Sequence, residues 1–127
     1  MNPETAKTDG SNHKGPVSPD KYKSCIESCH SCASACDRCA AACLEEKDVK
    51  MLAHCIQLDR DCADLCRQAA AFMARGSEFA ARFCALCADA CKACGDECSK
   101  HSKMEHCKRC AEACYRAAEE CTRMARA

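Results

Sequence analysis

Residues 25–43 read CIESCHSCASACDRCAAAC, and the six cysteines of this stretch are separated by 4, 3, 4, 3 and 4 positions. An alternation of three and four returns a side chain to the same face of an α-helix. In a helical bundle this face normally carries leucine and points into the core. The stretch therefore predicts a helix whose inward seam is made of thiols.

The same cysteine seam continues through the rest of the chain. One later segment interrupts it with Asp59 and another fills a step with Ala117. All of the cysteines are predicted to face inward and to bind metal: Cys25, Cys29, Cys32, Cys36, Cys39, Cys43, Cys55, Cys62, Cys66, Cys84, Cys87, Cys91, Cys94, Cys98, Cys107, Cys110, Cys114 and Cys121.

Three polar or glycine-bearing points divide the chain after Pro19, its last proline. Asp48 and Ser77 are predicted N-caps, and Gly76 is a predicted residue C′. Helices are expected at about 22–46, 49–74, 78–100 and 103–126. Because the connections are short, neighbouring helices should be antiparallel. The predicted fold is all-α, an up-down-up-down four-helix bundle with a cysteine-lined core.

Pairing seam positions across the connections predicts six layers of four residues. These layers are Cys43/Leu52/Cys98/Cys107, Cys39/Cys55/Cys94/Cys110, Cys36/Asp59/Cys91/Cys114, Cys32/Cys62/Cys87/Ala117, Cys29/Cys66/Cys84/Cys121 and Cys25/Ala69/Ala80/Met124. Asp59 is interpreted as turning toward solvent while Leu58 packs, or as pairing with a residue at one end of the bundle.

The two ends of the bundle differ in composition. One end is predicted to be a hydrophobic plug formed by Tyr22, Phe72, Met73, Phe79, Phe83 and Met124. The other end, which we call the mouth, collects Met51, His54, His101, Met104 and His106. Imidazole and thioether groups both bind soft metal ions, so the mouth is the expected entrance for metal. His30 and His13 are expected outside the core.

The chain of 127 residues has the length of one domain. Residues 1–20 are rich in polar and breaker residues and are predicted to be a disordered tail, and 21–127 form the metal-storage bundle. With no apolar leader stretch, we expect a cytoplasmic protein, although an exported protein that had lost its leader would look the same. Lys+Arg and Asp+Glu are both 19, so composition does not favour nucleic acid or a membrane as partner.

The chain has 18 cysteines but only five Leu, two Ile, two Val and three Phe. Replacing a core leucine by a small residue costs about 2–5 kcal/mol, so a cysteine and alanine core is a poor choice for stability alone. Structural disulfides are disfavoured, because crosslinks within one helix close very short loops. Iron–sulfur ligands normally lie on irregular loops. No catalytic constellation is present, and an enzyme is not expected.

The net charge of the filled core distinguishes Zn²⁺ from Cu(I), the two candidate metals that remain. Zn²⁺ with four thiolates leaves two negative charges, and the seam offers no lysine or arginine to neutralise them. A Cu⁺ ion replaces the proton of a thiol, so a core filled with Cu(I) and bridging thiolates stays nearly neutral. The sequence predicts storage of many Cu(I) ions, about one per cysteine. A zinc or other metallothionein-like buffer is the alternative, and an iron–sulfur electron carrier is a weaker one.

The cysteine seam on all four segments resembles the bacterial copper storage proteins, the Csp family, and in particular their cytosolic class. The resemblance covers about residues 22–126. It implies a four-helix bundle, usually a homotetramer, that holds Cu(I) between cysteine pairs behind a polar mouth. It extends the metal-binding role from the cysteines to His101, which continues the seam three residues after Cys98. Copper ions are the expected partner, delivered by a chaperone or a small thiol.

Overall fold

The computed structural model describes residues 19–126, which fold into four α-helices with no strand among them. The helices are α1 (Lys23–Cys43), α2 (Ala53–Ala74), α3 (Ala80–Ser99) and α4 (Glu105–Arg126). Each helix packs against the next, and α4 packs against α1, which closes the antiparallel bundle. The predicted all-α four-helix fold is confirmed. His13 and all but the last two residues of the predicted tail lie outside the described residues.

The helices begin later than the sequence predicts. Short 3₁₀ turns, Pro19–Tyr22 and Val49–Leu52, precede α1 and α2. Asp48 makes no side-chain cap bond, so its assignment as the N-cap of α2 is wrong. The Ser77 hydroxyl accepts a hydrogen bond from the Phe79 N–H at 3.0 Å, and α3 begins only after this turn.

Gly76 ends α2 in the way the sequence predicts. Its φ of 62° lies in the left-handed region, which side chains with a Cβ rarely adopt. The N–H of Ser77 donates to the Phe72 carbonyl at 2.9 Å, and the N–H of Gly76 donates to the Met73 carbonyl at 3.1 Å. This is the paired bonding of a Schellman motif.

The core of the bundle consists of thiols. All 18 cysteines are buried, and none exposes more than 1% of its surface. The spaces between them are filled by small residues such as Ala69, Ala80 and Ala117. The buried polar or charged residues of the described chain are Ser28, Asp59 and Glu97, so no lysine or arginine of that part enters the core. The predicted inward orientation of the seams is confirmed.

The predicted layers hold for α1 and α4. The sulfur atoms of Cys43 and Cys107 are 3.8 Å apart, and those of Cys29 and Cys121 are 3.6 Å apart. The predicted layers of α3 are wrong by one step of the seam.

The shift is visible where α2 meets α3. Cys62 contacts Cys91 at 3.6 Å rather than Cys87, and Cys55 contacts Cys98 at 3.5 Å rather than Cys94. The turn geometry explains the difference, because in these two pairs the residues that face each other lie at nearly equal separations from Gly76 along the chain.

A close contact also fixes α3 against α4. The Tyr115 hydroxyl donates to Asp96 Oδ1 at 2.6 Å, and its ring lies over Gly95. A Cβ placed on Gly95 would lie 2.8 Å from Tyr115 Cε1, which is closer than real contacts allow. The glycine therefore makes room for the tyrosine ring.

The end opposite the mouth is apolar, as predicted, but not every aromatic residue is buried there. The rings of Phe72 and Phe83 meet edge to face at 5.1 Å, and Tyr22 and Met73 are buried. Phe79 is 52% exposed, so its place in the plug was predicted wrongly, because it precedes α3 and has no inward face to occupy. Within residues 19–126 no helix has the length and apolar character needed to cross a membrane.

Candidate metal centre

The thiols of the core form a continuous network along the axis of the bundle. Neighbouring sulfur atoms are 3.5–3.9 Å apart, as in the pairs Cys66–Cys91 and Cys36–Cys94. A disulfide bond is about 2.05 Å long, so these are separate thiols, and all 18 are free. Two or three sulfur atoms at this spacing can coordinate one ion together.

The network contains compact groups of four ligand atoms that lie within 4.8 Å of one another. Three all-thiol groups are Cys32/Cys62/Cys66/Cys91, Cys32/Cys36/Cys62/Cys114 and Cys36/Cys94/Cys110/Cys114. Cys32, Cys36, Cys62 and Cys114 each belong to two of these groups. Ions bound in neighbouring groups would therefore share thiolates, which is the arrangement that bridging coordination requires.

Asp59 lies inside the thiol network. It is fully buried, and its Oδ1 accepts hydrogen bonds from Cys94 at 3.1 Å, Cys110 at 3.3 Å and Cys98 at 3.5 Å. Burial raises the pKa of Asp59 to about 8. The interpretation that Asp59 turns toward solvent is wrong. Its place in the seam, four residues after Cys55, was the signal that it points inward.

One side of the mouth places a histidine against three thiols. Nδ1 of His106 lies 3.5 Å from Cys107, 3.7 Å from Cys39 and 3.8 Å from Cys43. Its Nε2 lies 3.1 Å from Oε2 of Glu46. The sequence placed His106 at the mouth but left its role as a ligand open, although it directly precedes Cys107. Together with the three cysteines it forms a group that could hold a metal ion.

The other side of the mouth is organised by Glu97, a residue that sequence reasoning missed. Its carboxylate lies 3.1 Å from Nε2 of His101, 3.1 Å from Nζ of Lys100 and 3.3 Å from Nδ1 of His54. Burial raises the pKa of Glu97, but hydrogen bonds from His101 and Lys100 outweigh it, and the net pKa is lowered. The side chain of His101 is only 11% exposed, which places it inside the mouth.

The remaining candidates of the mouth are less enclosed. Met51 is 56% exposed, whereas Met104 is half-buried and packs against the core. His30 lies on the exposed face of α1, as expected.

Two buried thiols at the mouth, Cys43 and Cys107, hold their protons tightly when no metal is bound. Burial raises the pKa of Cys43 to about 11 and also raises the pKa of Cys107. No cationic side chain among the described residues is buried beside them to stabilise a thiolate. The arrangement therefore suits a soft monovalent cation, which takes the place of a proton without adding net charge.

Comparison with known proteins identifies the family. The model of the copper storage protein family, Csp, matches residues 18–126. No curated protein sequence matches the chain significantly.

Solved structures give the same result. Copper storage protein 3 from Bacillus subtilis, in its metal-free form, is 49% identical, with a TM-score of 0.78 over 82% of this chain and 98% of that one. A cytosolic copper storage protein from Streptomyces lividans carrying five coppers is 41% identical, with a TM-score of 0.82 over 86% of this chain and 95% of that one. These matches confirm the resemblance drawn from the cysteine seam. The chain belongs to the copper storage protein family.

Proposed function

We propose that this protein stores Cu(I) in the cytosol, binding about one ion per cysteine through bridging thiolates inside the bundle. The observation that carries the proposal is the burial of all 18 thiols in one network, 3.5–3.9 Å apart where they meet, with no lysine or arginine of the described residues buried among them. Membership of the copper storage family supports the same metal, and the copper-loaded Streptomyces lividans relative is described as cytosolic. The role is storage rather than catalysis.

The proposed ligands are the 18 cysteines and His101, to which the geometry adds His106 and Asp59. His106 presents Nδ1 to three thiols. Asp59 shares a group of possible ligands with Cys39, Cys55 and Cys98. The support for His101 is its position on the seam after Cys98 and its low exposure within the mouth.

Charge explains why Cu(I) is favoured over Zn²⁺ in this core. Each Cu⁺ that displaces a thiol proton leaves the local charge unchanged, whereas each Zn²⁺ held by four thiolates leaves two uncompensated negative charges. Uncompensated charge in a buried site is costly. A core with this many thiols and without lysine or arginine can therefore be filled by Cu(I) along its whole length.

We further propose that copper is delivered at the mouth, by a chaperone or a small thiol, and that the protein is a homotetramer. The histidines and the half-buried Met104 offer ligands at the point where the thiol network approaches the surface. Phe79 and Leu86 are half exposed and line one cleft together, and an apolar surface of this kind is commonly buried between subunits.

An anaerobic titration of the reduced protein with Cu(I), in competition with a chromophoric chelator and with Zn²⁺, tests the storage proposal. We expect saturation near the cysteine count and retention of Cu(I) in the presence of zinc. Saturation at four or five ions, or a preference for Zn²⁺, would contradict it.

Cys62→Ser should lower the capacity, because Cys62 belongs to two groups of four thiols. Ser34→Ala, on the exposed surface of the same bundle, is the matched control and should leave the capacity unchanged.

A further inference from the structure

Glu46 lies just beyond the end of α1 and reaches across the mouth to α4. Its Oε2 is 3.1 Å from Nε2 of His106, a residue 60 positions later in the chain. The other ring nitrogen of His106, Nδ1, is 3.5–3.8 Å from the sulfur atoms of Cys107, Cys39 and Cys43. The imidazole is therefore held between one carboxylate and three thiols.

The contact with Glu46 determines the tautomer of the His106 ring, and so whether the nitrogen that faces the thiols has a free lone pair. A carboxylate accepts a hydrogen bond and cannot donate one, so the contact with Glu46 requires the proton of the neutral ring to lie on Nε2. Nδ1 is then unprotonated and points at Cys39, Cys43 and Cys107. In metal centres, a carboxylate bound to the outer nitrogen of a histidine fixes the orientation of the ring and increases its basicity.

The contact between Glu46 and His106 is not explained by the stability of the fold. The side chains of His106 and Glu46 are 22% and 39% exposed, and polar contacts with this much exposure stabilise a fold little. Among the described residues, His106 is also the only residue that the side chain of Glu46 contacts through a hydrogen bond. The other carboxylate of the mouth, Glu97, is shared among His101, His54 and Lys100.

We propose that Glu46 is a positioning residue for copper binding. It holds His106 with Nδ1 aimed at Cys39, Cys43 and Cys107, so that the ion meets a preformed group of one imidazole and three thiols. The inference rests on the proposed function, because Cu(I) is the ion that this group would take. Glu46 itself does not touch the metal.

Long-range ¹H–¹⁵N NMR of the histidine rings in the reduced, copper-free protein tests the positioning directly. We expect His106 to carry its proton on Nε2 in the wild type and in Glu46→Gln, whose amide oxygen can still accept the hydrogen bond. In Glu46→Ala we expect a mixture of the two tautomers. An unchanged tautomer in Glu46→Ala would overturn the proposal.

Copper affinity gives the second readout. Competition titrations should show that Glu46→Ala weakens the ion held by the His106 group about tenfold, while the total capacity is unchanged. In a His106→Ala background, Glu46→Ala should have no further effect, since Glu46 acts through the ring. A full effect of Glu46→Ala in that background, or a loss in Glu46→Gln as large as in Glu46→Ala, would overturn the assignment.

Glu105→Ala is the matched control. It removes a carboxylate of the same charge next to His106, but Glu105 pairs with Arg109 and not with the ring. It should leave both the tautomer and the affinity unchanged, and a loss equal to that of Glu46→Ala would mean that charge alone matters. Circular dichroism confirms that each variant is folded. A wild-type capacity far below the cysteine count would contradict the storage proposal and leave the NMR result intact.

Discussion

At the scale of single residues, Asp59 is the most unusual feature of the core. It is a fully buried carboxyl group that accepts hydrogen bonds from Cys94, Cys98 and Cys110. Such a group is stable in the copper-free protein when it is protonated, because an uncompensated buried charge is costly. Asp59 therefore lowers the stability of the copper-free protein when it is ionised, and it places an oxygen atom inside the metal-binding network.

Asp59 should make the stability of the copper-free protein depend on pH. Its pKa in the folded state is raised to about 8 from 3.8, so the folded state binds the proton more tightly than the unfolded state does. The stabilisation is complete below the unfolded pKa and is lost as the pH rises through about 8. We expect Asp59→Asn to unfold at a nearly constant urea concentration between about pH 5 and pH 8, while the wild type becomes less stable.

The control for this comparison is Asp61→Asn, which removes an exposed carboxylate from the same helix. It should follow the wild-type dependence on pH, measured by urea unfolding in reducing buffer. Parallel curves for Asp59→Asn and the wild type would contradict the assignment of the pH dependence to Asp59.

At the scale of the helices, the contact between α3 and α4 depends on a missing side chain. Gly95 leaves room for the ring of Tyr115, whose hydroxyl donates to Asp96 at 2.6 Å and lies 3.2 Å from the Ser99 hydroxyl. A glycine within a helix is ordinarily less stable than alanine by about 1 kcal/mol. The ring contact and its hydrogen bonds offset that cost.

The effect of Gly95→Ala on the free energy of unfolding should therefore change sign when Tyr115 is removed. In the wild type its Cβ would meet Tyr115 Cε1 at 2.8 Å, so the ring must move and release Asp96, and we expect a loss of about 1 kcal/mol. In a Tyr115→Ala background the same substitution should stabilise the protein by about 1 kcal/mol. Urea unfolding of the four variants gives both values, and the same sign in both backgrounds would contradict the account.

At the scale of the whole molecule, the core of the bundle buries less apolar surface than a leucine core would, because its inward positions are occupied by thiols that can bind metal. Its inward positions carry cysteine and alanine where other bundles carry leucine, and among its largest fully buried side chains are Leu52 and Met73. Small core residues bury less apolar surface and stabilise less. We expect bound copper to supply stability that these side chains alone do not.

Copper loading should raise the melting temperature of the protein. An ion that binds the folded state and not the unfolded state stabilises by mass action, by about 4 kcal/mol at a thousandfold excess over its dissociation constant. We expect the melting temperature under anaerobic, reducing conditions to rise with each addition of Cu(I) and to return when a strong chelator removes the metal. Equal melting temperatures for loaded and empty protein would contradict this role of the metal.

The spacing of the cysteines was sufficient to predict the helices, the inward thiols and the family, because helical periodicity is a local property of the chain. Residues 25–43 show this alone, and Gly76 was predicted correctly as the end of α2 for the same local reason. Even Asp59 lay on the seam, although its short polar side chain favoured an interpretation as exposed.

What the sequence left open concerns distances between helices. The one-step shift of α3 follows from the Gly76 turn, and only the folded chain shows that Cys62 meets Cys91. The roles at the mouth are of the same kind, since Glu46 and His106 are 60 positions apart in the chain and 3.1 Å apart in space. The sequence by itself determined which face of each helix carries sulfur, and the tertiary structure alone decided which thiols and which histidine meet, because contacts between helices depend on turn geometry and not on periodicity.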